Sequence, residues 1–271
     1  KIKKKNTKKL NEKIKNVAML LMKSEKPMLH IGQGVKISEG EKYLRSLIDK
    51  YKIPFGLTWN ASDLIETSHN SYIGKPGAFS ERGSNFIVQN CNLHISIGTR
   101  LPFMVTGYHS HDFARNAKKI MVDIDNTELK KNRTKPDIKI CCDAKYFLKT
   151  LLKYMPNKIN ISKKWRAYCK NIRKKYPIVL EKYRQQKKTI NSYYFIECLS
   201  KQLKKDETIV TDMGLSFVGT HQAFDIKKGQ KLYTNSGHAP MGWGLPAAIG
   251  ASYAKNKKKV ICLTGEGGLQ M

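Results

Sequence analysis

The sequence predicts an α/β fold in which parallel strands alternate with helices. Three observations carry that expectation. Short apolar runs recur along the chain with helical stretches between them. Glycine-rich turns follow two of these runs directly, at Gly32-Gln33-Gly34 and at Gly265-Glu266-Gly267-Gly268. Hydrophobic residues make up 40% of the 271, enough for a packed core and for two domains.

The elements follow in order. Residues 1–24 start as a charged linker and become an amphipathic helix through Val17, Ala18, Leu20 and Leu21. Pro27 ends that helix, and Met28-Leu29-His30-Ile31 is expected as a buried strand. A helix with Tyr43, Leu44, Leu47 and Ile48 on one face comes next. Further strands are expected over 53–58, 93–97, 120–124 and 138–142. Together they predict a central Rossmann-like domain over 25–156, with helices on both faces of the sheet. Residues 157–190 are strongly basic, with Trp165, Tyr168, Ile172 and Tyr176 at helical spacing before Pro177. They are expected to form a connecting arm that packs its aromatics on a neighbouring domain. A second α/β unit is predicted over 191–271. It has a helix at 193–196, strands at 208–211 and 231–234, a helix over 245–255 and a strand over 260–264. A unit that closes on one strand and a glycine turn is expected to be part of a larger domain.

Composition limits the function classes. The net charge is +30, with 51 Lys and Arg against 21 Asp and Glu. The excess is mostly lysine, spread along the chain in runs such as Lys118-Lys119 and Lys257-Lys258-Lys259. Such runs are expected as solvated faces, with only weak attraction to polyanions at low salt. No specific nucleic-acid partner is expected, because arginine, the usual reader of phosphates and bases, is scarce. No apolar run has the length of a membrane span, and no signal peptide is evident, so a cytoplasmic protein is expected. The six cysteines form no C-x-x-C pair and are expected as reduced thiols. His109-Ser110-His111-Asp112 has no further ligand nearby and is expected as a solvated loop.

The chemistry concentrates in two late segments. Asn235-Ser236-Gly237-His238-Ala239-Pro240-Met241-Gly242-Trp243-Gly244-Leu245-Pro246 is a glycine-rich loop that opens a helix, with Pro246 in the first turn. One strand later, Gly265-Glu266-Gly267-Gly268 places a carboxylate in a tight turn at a strand's C-terminal end. Open α/β sheets bind ligands there, and a carboxylate among backbone N–H groups suits Mg²⁺ held against a diphosphate. Taken singly, each loop is an ordinary turn and Met241 a core side chain.

Taken together and in order, these segments closely resemble the cofactor-binding domain of thiamine-diphosphate enzymes, and within them the acetolactate-synthase type. Pro27 to Gly34, Ile97-Gly98-Thr99-Arg100, Val105-Thr106-Gly107 and Met121 to Asp125 are similar to landmarks of the central domain of the same enzymes. The resemblance implies thiamine diphosphate and Mg²⁺ as cofactors, with Glu266 as a magnesium ligand where the family usually has Asp. A degenerate, cofactor-free site is the alternative. It implies that Met241 bends the cofactor into a V, that the Ala239 carbonyl accepts a hydrogen bond from the aminopyrimidine, and that Gly265, Gly267 and Gly268 line the diphosphate site. Ser216, in Thr211-Asp212-Met213-Gly214-Leu215-Ser216, stands with Leu215 where the family commonly has Gln-His reaching the diphosphate. FAD often occupies the family's central domain. Here Phe103-Met104 replaces the acidic–basic pair found there, and Gly32-x-Gly34 lacks the third glycine of a dinucleotide fingerprint.

The implied activity is decarboxylation of a 2-oxo acid such as pyruvate with carboligation to a second 2-oxo acid, as in branched-chain amino-acid biosynthesis. The active site of the family forms between subunits, so a homodimer or tetramer is implied. The activating glutamate belongs to a pyrimidine-binding domain that precedes the central one, so no catalytic acid–base residue is assigned among these 271. A decarboxylase or carboligase for another 2-oxo acid, and a basic inactive scaffold that binds polyanions, are the competing readings.

Overall fold

The structure, a computed structural model, describes residues 7–271; residues 1–6 of the expected linker lie outside the described residues. The chain divides into two compact units. The first comprises the chain up to Ala61 together with Asn70–Ala78 and Arg82–Tyr176. The second comprises Ser62–His69, Phe79–Glu81 and Pro177–Met271.

The first unit opens with helix α1 (Thr7–Lys23), which buries Ile14, Val17, Ala18 and Leu21 along one stripe. Strand β1 (Pro27–Ile31), short helix α2 (Gly34–Ile37), helix α3 (Glu41–Tyr51) and strand β2 (Phe55–Leu57) follow. Then come α4 (Arg82–Asn90), β3 (Leu93–Ile97), α5 (Phe103–Thr106), β4 (Lys118–Asp123), α6 (Asn126–Lys131), β5 (Ile138–Cys141), α7 (Ala144–Tyr154) and α8 (Lys163–Lys175). The sheet is parallel throughout, in the order β2-β1-β3-β4-β5. Every residue of β1 and of β3 is buried, as expected for strands covered on both faces. Asp143 caps α7 by accepting from Tyr146 N–H, and Asp125 caps α6 through Thr127 N–H.

The order reverses between β1 and β3, and the turns after these two strands press together. Gly32 N–H donates to Ile97 O, and Gly34 N–H donates to Gly98 O, each at 2.9 Å. Gly98 has φ +63°, and a Cβ there would lie 2.8 Å from Gly34 Cα. Only glycine meets both conditions. Beneath these turns two buried histidines meet, His30 Nδ1 3.2 Å from His94 Nε2, with the Phe113 ring edge-on to His94. Burial lowers His30 to about 4 and pushes His94 well below the usual imidazole range, helped by the neighbouring His30 and Lys119.

The segment 157–190, expected as a connecting arm, is divided between the units. Helix α8 packs on α4 in the first, where Trp165 is buried and its indole N–H donates to Pro27 O at 3.0 Å. Residues from Pro177 onward belong to the second. The six cysteines are free thiols, and burial raises Cys91 and Cys142 to about 12. Residues Ser110–Asp112 form an exposed 3-10 turn in which His111 Nε2 lies 3.6 Å from Asp112.

The second unit contains α9 (Glu181–Arg184), α10 (Ser192–Gln202), β6 (Thr208–Thr211), α11 (Leu215–Ala223), β7 (Lys231–Tyr233), α12 (Gly244–Ala254), β8 (Val260–Leu263) and α13 (Glu266–Gln270). Its sheet is parallel, in the order β7-β6-β8. Ile209, Phe224, Ile226 and Leu232 form its core, with Ile196 of α10. The segment Ser62–His69 joins this unit by hydrogen bonds that sequence distance hides. Thr67 N–H donates to Ile226 O at 3.0 Å, Leu232 N–H donates to Asp63, and Ser62 Oγ lies 3.2 Å from His221 Nδ1.

Candidate functional site

Strand β6 is central in the second sheet, so the loops after β6 and β8 emerge side by side at the same end. A cavity of about 430 Å³ lies there. Met213 to Ser216 line it from the β6 side, Leu263 to Gly268 from the β8 side, and Met241 and Phe195 complete the wall. Two helices begin at its edge. Helix α11 follows Gly214, and α13 follows Gly265, and neither glycine closes the helix end with a side chain. The first N–H groups of any helix have no intrahelical acceptor. Both first turns therefore offer donors, with partial positive charge, to an anion.

Of the residues expected from sequence, the structure brings Ser216, Met241, Gly265, Glu266, Gly267 and Gly268 around this cavity. Ala239 is exposed and is not part of the lining; it takes φ +53° two residues before Met241. Met241 is half-exposed, and a Cβ on Gly267 would come within 2.8 Å of its Cε, so the two loops touch through this pair. Ser216 Oγ donates to Met213 O at 2.9 Å, which commits its one proton to its own loop. Glu266 differs from the expected tight turn. It is the first residue of α13, exposed, with its negative charge at the positive end of that helix. Glycine at 265, 267 and 268 favours no particular turn, and one helical turn satisfies Leu269 N–H by donation to Gly265 O at 3.0 Å.

Sequence reasoning missed Asp212, which is 1% exposed at the end of β6. Its Oδ2 accepts from Gly242 N–H at 3.1 Å and lies 3.0 Å from the Thr264 hydroxyl, while its Oδ1 accepts from Gly244 N–H at 3.2 Å. Burial pushes this carboxyl up, but the donors Gly242, Thr264, Gly244 and Met213 outweigh it and hold the group below the usual carboxylate range. Glycine makes the approach possible. A Cβ on Gly268 would sit 1.8 Å from Asp212 Oδ2, and one on Gly244 would sit 2.7 Å from Asp212 Cβ. An Asp at a strand end, followed thirty residues later by Gly-x-Gly, was the available signal, though only the fold joins the two.

These residues fit a diphosphate cofactor. Two uncapped helix N-termini face one cavity, a thioether lines it beside Gly267, and an exposed carboxylate lines it too. For magnesium they supply a single carboxylate, Glu266. Among the described residues no group of three or more His, Cys, Asp or Glu could hold a metal ion. Magnesium characteristically takes one or two protein carboxylates plus phosphate oxygens, so this donor set suits an ion bound together with its phosphates. The first unit does not fit FAD at its glycine turn. The N–H groups of Gly32, Gly34 and Val35 already donate to Ile97, Gly98 and Gly32 carbonyls. Phe103 stacks on Tyr108 where an acidic–basic pair was the family pattern.

Comparison with known proteins agrees with the geometry. Residues 14–151 match the family described as "Thiamine pyrophosphate enzyme, central domain", and residues 212–271 match its C-terminal TPP binding domain. The chain is 33% identical over 260 residues to the acetolactate synthase large subunit of Porphyra purpurea, covering 94% of this chain and 42% of that protein. It is 29% identical over 258 residues to the isozyme 2 large subunit of Escherichia coli (strain K12), covering 95% of this chain and 45% of that protein. With the acetolactate synthase of Mycobacterium leprae (strain TN) it shares 31% identity over 271 residues, covering 98% of this chain and 43% of that protein. The chain thus spans less than half the length of these curated relatives. No described helix is long and apolar enough to cross a membrane. By the sequence of both units, the chain belongs to the thiamine pyrophosphate enzyme family.

Proposed function

We propose that this chain is the central and diphosphate-binding part of an enzyme that decarboxylates pyruvate and joins the remaining two-carbon unit to a second 2-oxo acid, giving acetolactate or a homologue. The observation that carries this reading is the convergence of Met241, Glu266 and the first turns of α11 and α13 on one cavity. When bound, thiamine diphosphate supplies the electron sink for breaking the bond to the carboxylate carbon.

The chain's own residues bind and orient. The first-turn N–H groups of α11 and α13 would hold the diphosphate, lined by Gly265, Gly267 and Gly268, and the Ser216 hydroxyl would join them on turning from Met213. Glu266 would hold Mg²⁺, and the glycines beside it would let the backbone absorb its extra methylene relative to Asp. Met241 would be the wedge that keeps the cofactor bent, and the Ala239 carbonyl, outside the cavity lining, would accept from the aminopyrimidine on approach of its loop. Leu215 and Phe195 give the cavity apolar walls. The activating carboxylate is assigned to the family's pyrimidine-binding domain and to no residue of this chain.

A homodimer or tetramer in the cytoplasm is part of the same reading. Leu245, Ile249 and Tyr253 form an exposed apolar stripe along α12, which supports a further protein surface there. The test uses the full-length protein with pyruvate, thiamine diphosphate and Mg²⁺, following CO₂ release and identifying the product. Acetolactate is expected. Acetaldehyde, or turnover only of another 2-oxo acid, would replace carboligation or pyruvate in this reading. Salt-dependent polyanion binding without thiamine diphosphate affinity would replace the enzyme with a scaffold.

A further inference from the structure

We propose that Asp212 is a positioning residue, a buried carboxylate that clamps the loop carrying Met241 to the ends of β6 and β8 and so sets the cofactor cavity before any ligand enters. The proposal rests on the thiamine-diphosphate reading of that cavity. Asp212 touches none of the cavity space itself, being absent from the lining and 1% exposed. It acts through what it holds. Gly242 and Gly244 flank Trp243 directly after Met241, and both of their N–H groups end on this one side chain. Thr264, one residue before the Gly265 turn, is the third partner.

These contacts join segments 30, 32 and 52 residues from Asp212 in sequence. The close approaches at Gly244 and Gly268 show that the fit is two-sided, because a Cβ at either position would displace the carboxylate. Charged acceptors make the stronger hydrogen bonds, and in a buried site each loss leaves an N–H without a partner. A loop freed at Gly242 and Gly244 would let Met241 swing out of the cavity, where it is already half-exposed. Binding would then have to restore an order that Asp212 supplies in advance.

The experiment compares the full-length wild-type protein with Asp212→Asn, Thr264→Val and Gly268→Ala. Asparagine keeps one acceptor and turns an NH₂ toward the donors; valine removes a single hydroxyl at nearly constant shape. Two readouts are taken. The first is amide hydrogen exchange of the cofactor-free protein in a peptide spanning 238–246. The second is thiamine diphosphate affinity at saturating Mg²⁺, with the circular-dichroism band of the bent cofactor. Asp212→Asn is expected to speed exchange in that peptide, leave the β6 and β8 amides protected, weaken cofactor binding on the order of tenfold to a hundredfold, and diminish the band. Gly268→Ala is expected to act in the same direction, and Thr264→Val to weaken binding by only about threefold to tenfold. Unchanged exchange and affinity in Asp212→Asn would overturn the proposal. If Asp212→Asn does not fold, Thr264→Val decides it by exchange in the 238–246 peptide, because Thr264 itself lines the cavity and affinity alone would not separate the two roles. A wild-type protein without cofactor affinity would sink the functional reading and the role of Asp212 toward the cofactor together. Normal wild-type binding with indifferent variants would sink the Asp212 proposal alone.

Discussion

Glycine does opposite things at the strand ends of the two units. After β1 and β3, Gly32, Gly34 and Gly98 let backbone lie on backbone, and the turn amides donate to neighbouring carbonyls. That crevice is closed by the chain itself. In the second unit, Gly242 and Gly244 ahead of α12 and Gly268 after β8 let backbone close on the Asp212 carboxylate, while the first turns of α11 and α13 still face open space. Similar parallel sheets with similar glycine turns thus give a structural seam in one case and a ligand site in the other. What decides between them is where the N–H groups point.

The largest expected effect breaks the seam. Gly98→Ala puts a Cβ at φ +63° and 2.8 Å from Gly34 Cα, so it should cost about 3–5 kcal/mol of folding stability in the first unit. Urea unfolding followed by tryptophan fluorescence, with Trp243→Phe made in both proteins so that only the first unit reports, measures it. A change under about 1 kcal/mol would mean that the two turns can part cheaply.

Acid should weaken the same unit next. His30 is lowered to about 4 in the folded state, so the unfolded chain binds a proton first as pH falls below about 6.5. Stability is whole above that pH and declines toward pH 4, by roughly 3 kcal/mol for His30 at the lower end, with His94 acting in the same direction. Denaturation midpoints at pH 7 and pH 4.5, compared between wild type and His30→Gln, test this. An equal acid loss in both would remove His30 as the cause.

The smallest effect on folding belongs to the ligand site. Met241→Ala removes a half-exposed side chain and should change stability by less than about 1 kcal/mol. The same substitution in the full-length protein should lower turnover at least about tenfold. A large stability loss with normal turnover would make Met241 a packing residue and dissolve the contrast between the regions.

Sequence periodicity gave a good account of the strands because each carries a short buried apolar run, as at Met28-Leu29 and Ile120-Met121-Val122. The glycine motifs marked where the cavity walls lie. Three things were not legible. The segment Ser62–His69 belongs to the second unit through hydrogen bonds to residues beyond 220, and nothing local in its sequence carries that pairing. Glu266 sits in a helical first turn, because glycine on three sides leaves the local preference undecided. Asp212 gained its partners only when β6 and β8 paired, at Thr211↔Leu263 in the register. Contacts across 30 to 52 residues have no periodic signature.

Strand β8 has one further consequence, for how copies of the chain behave toward one another. Lys257, Lys258 and Lys259 stand at its threshold, with Lys259 held by Glu207 at 2.7 Å. Read along the chain, that run was only a solvated patch. Ahead of a strand whose four residues are all half-buried it sets like charge against like charge wherever two copies approach there, and salt that screens it would loosen that repulsion.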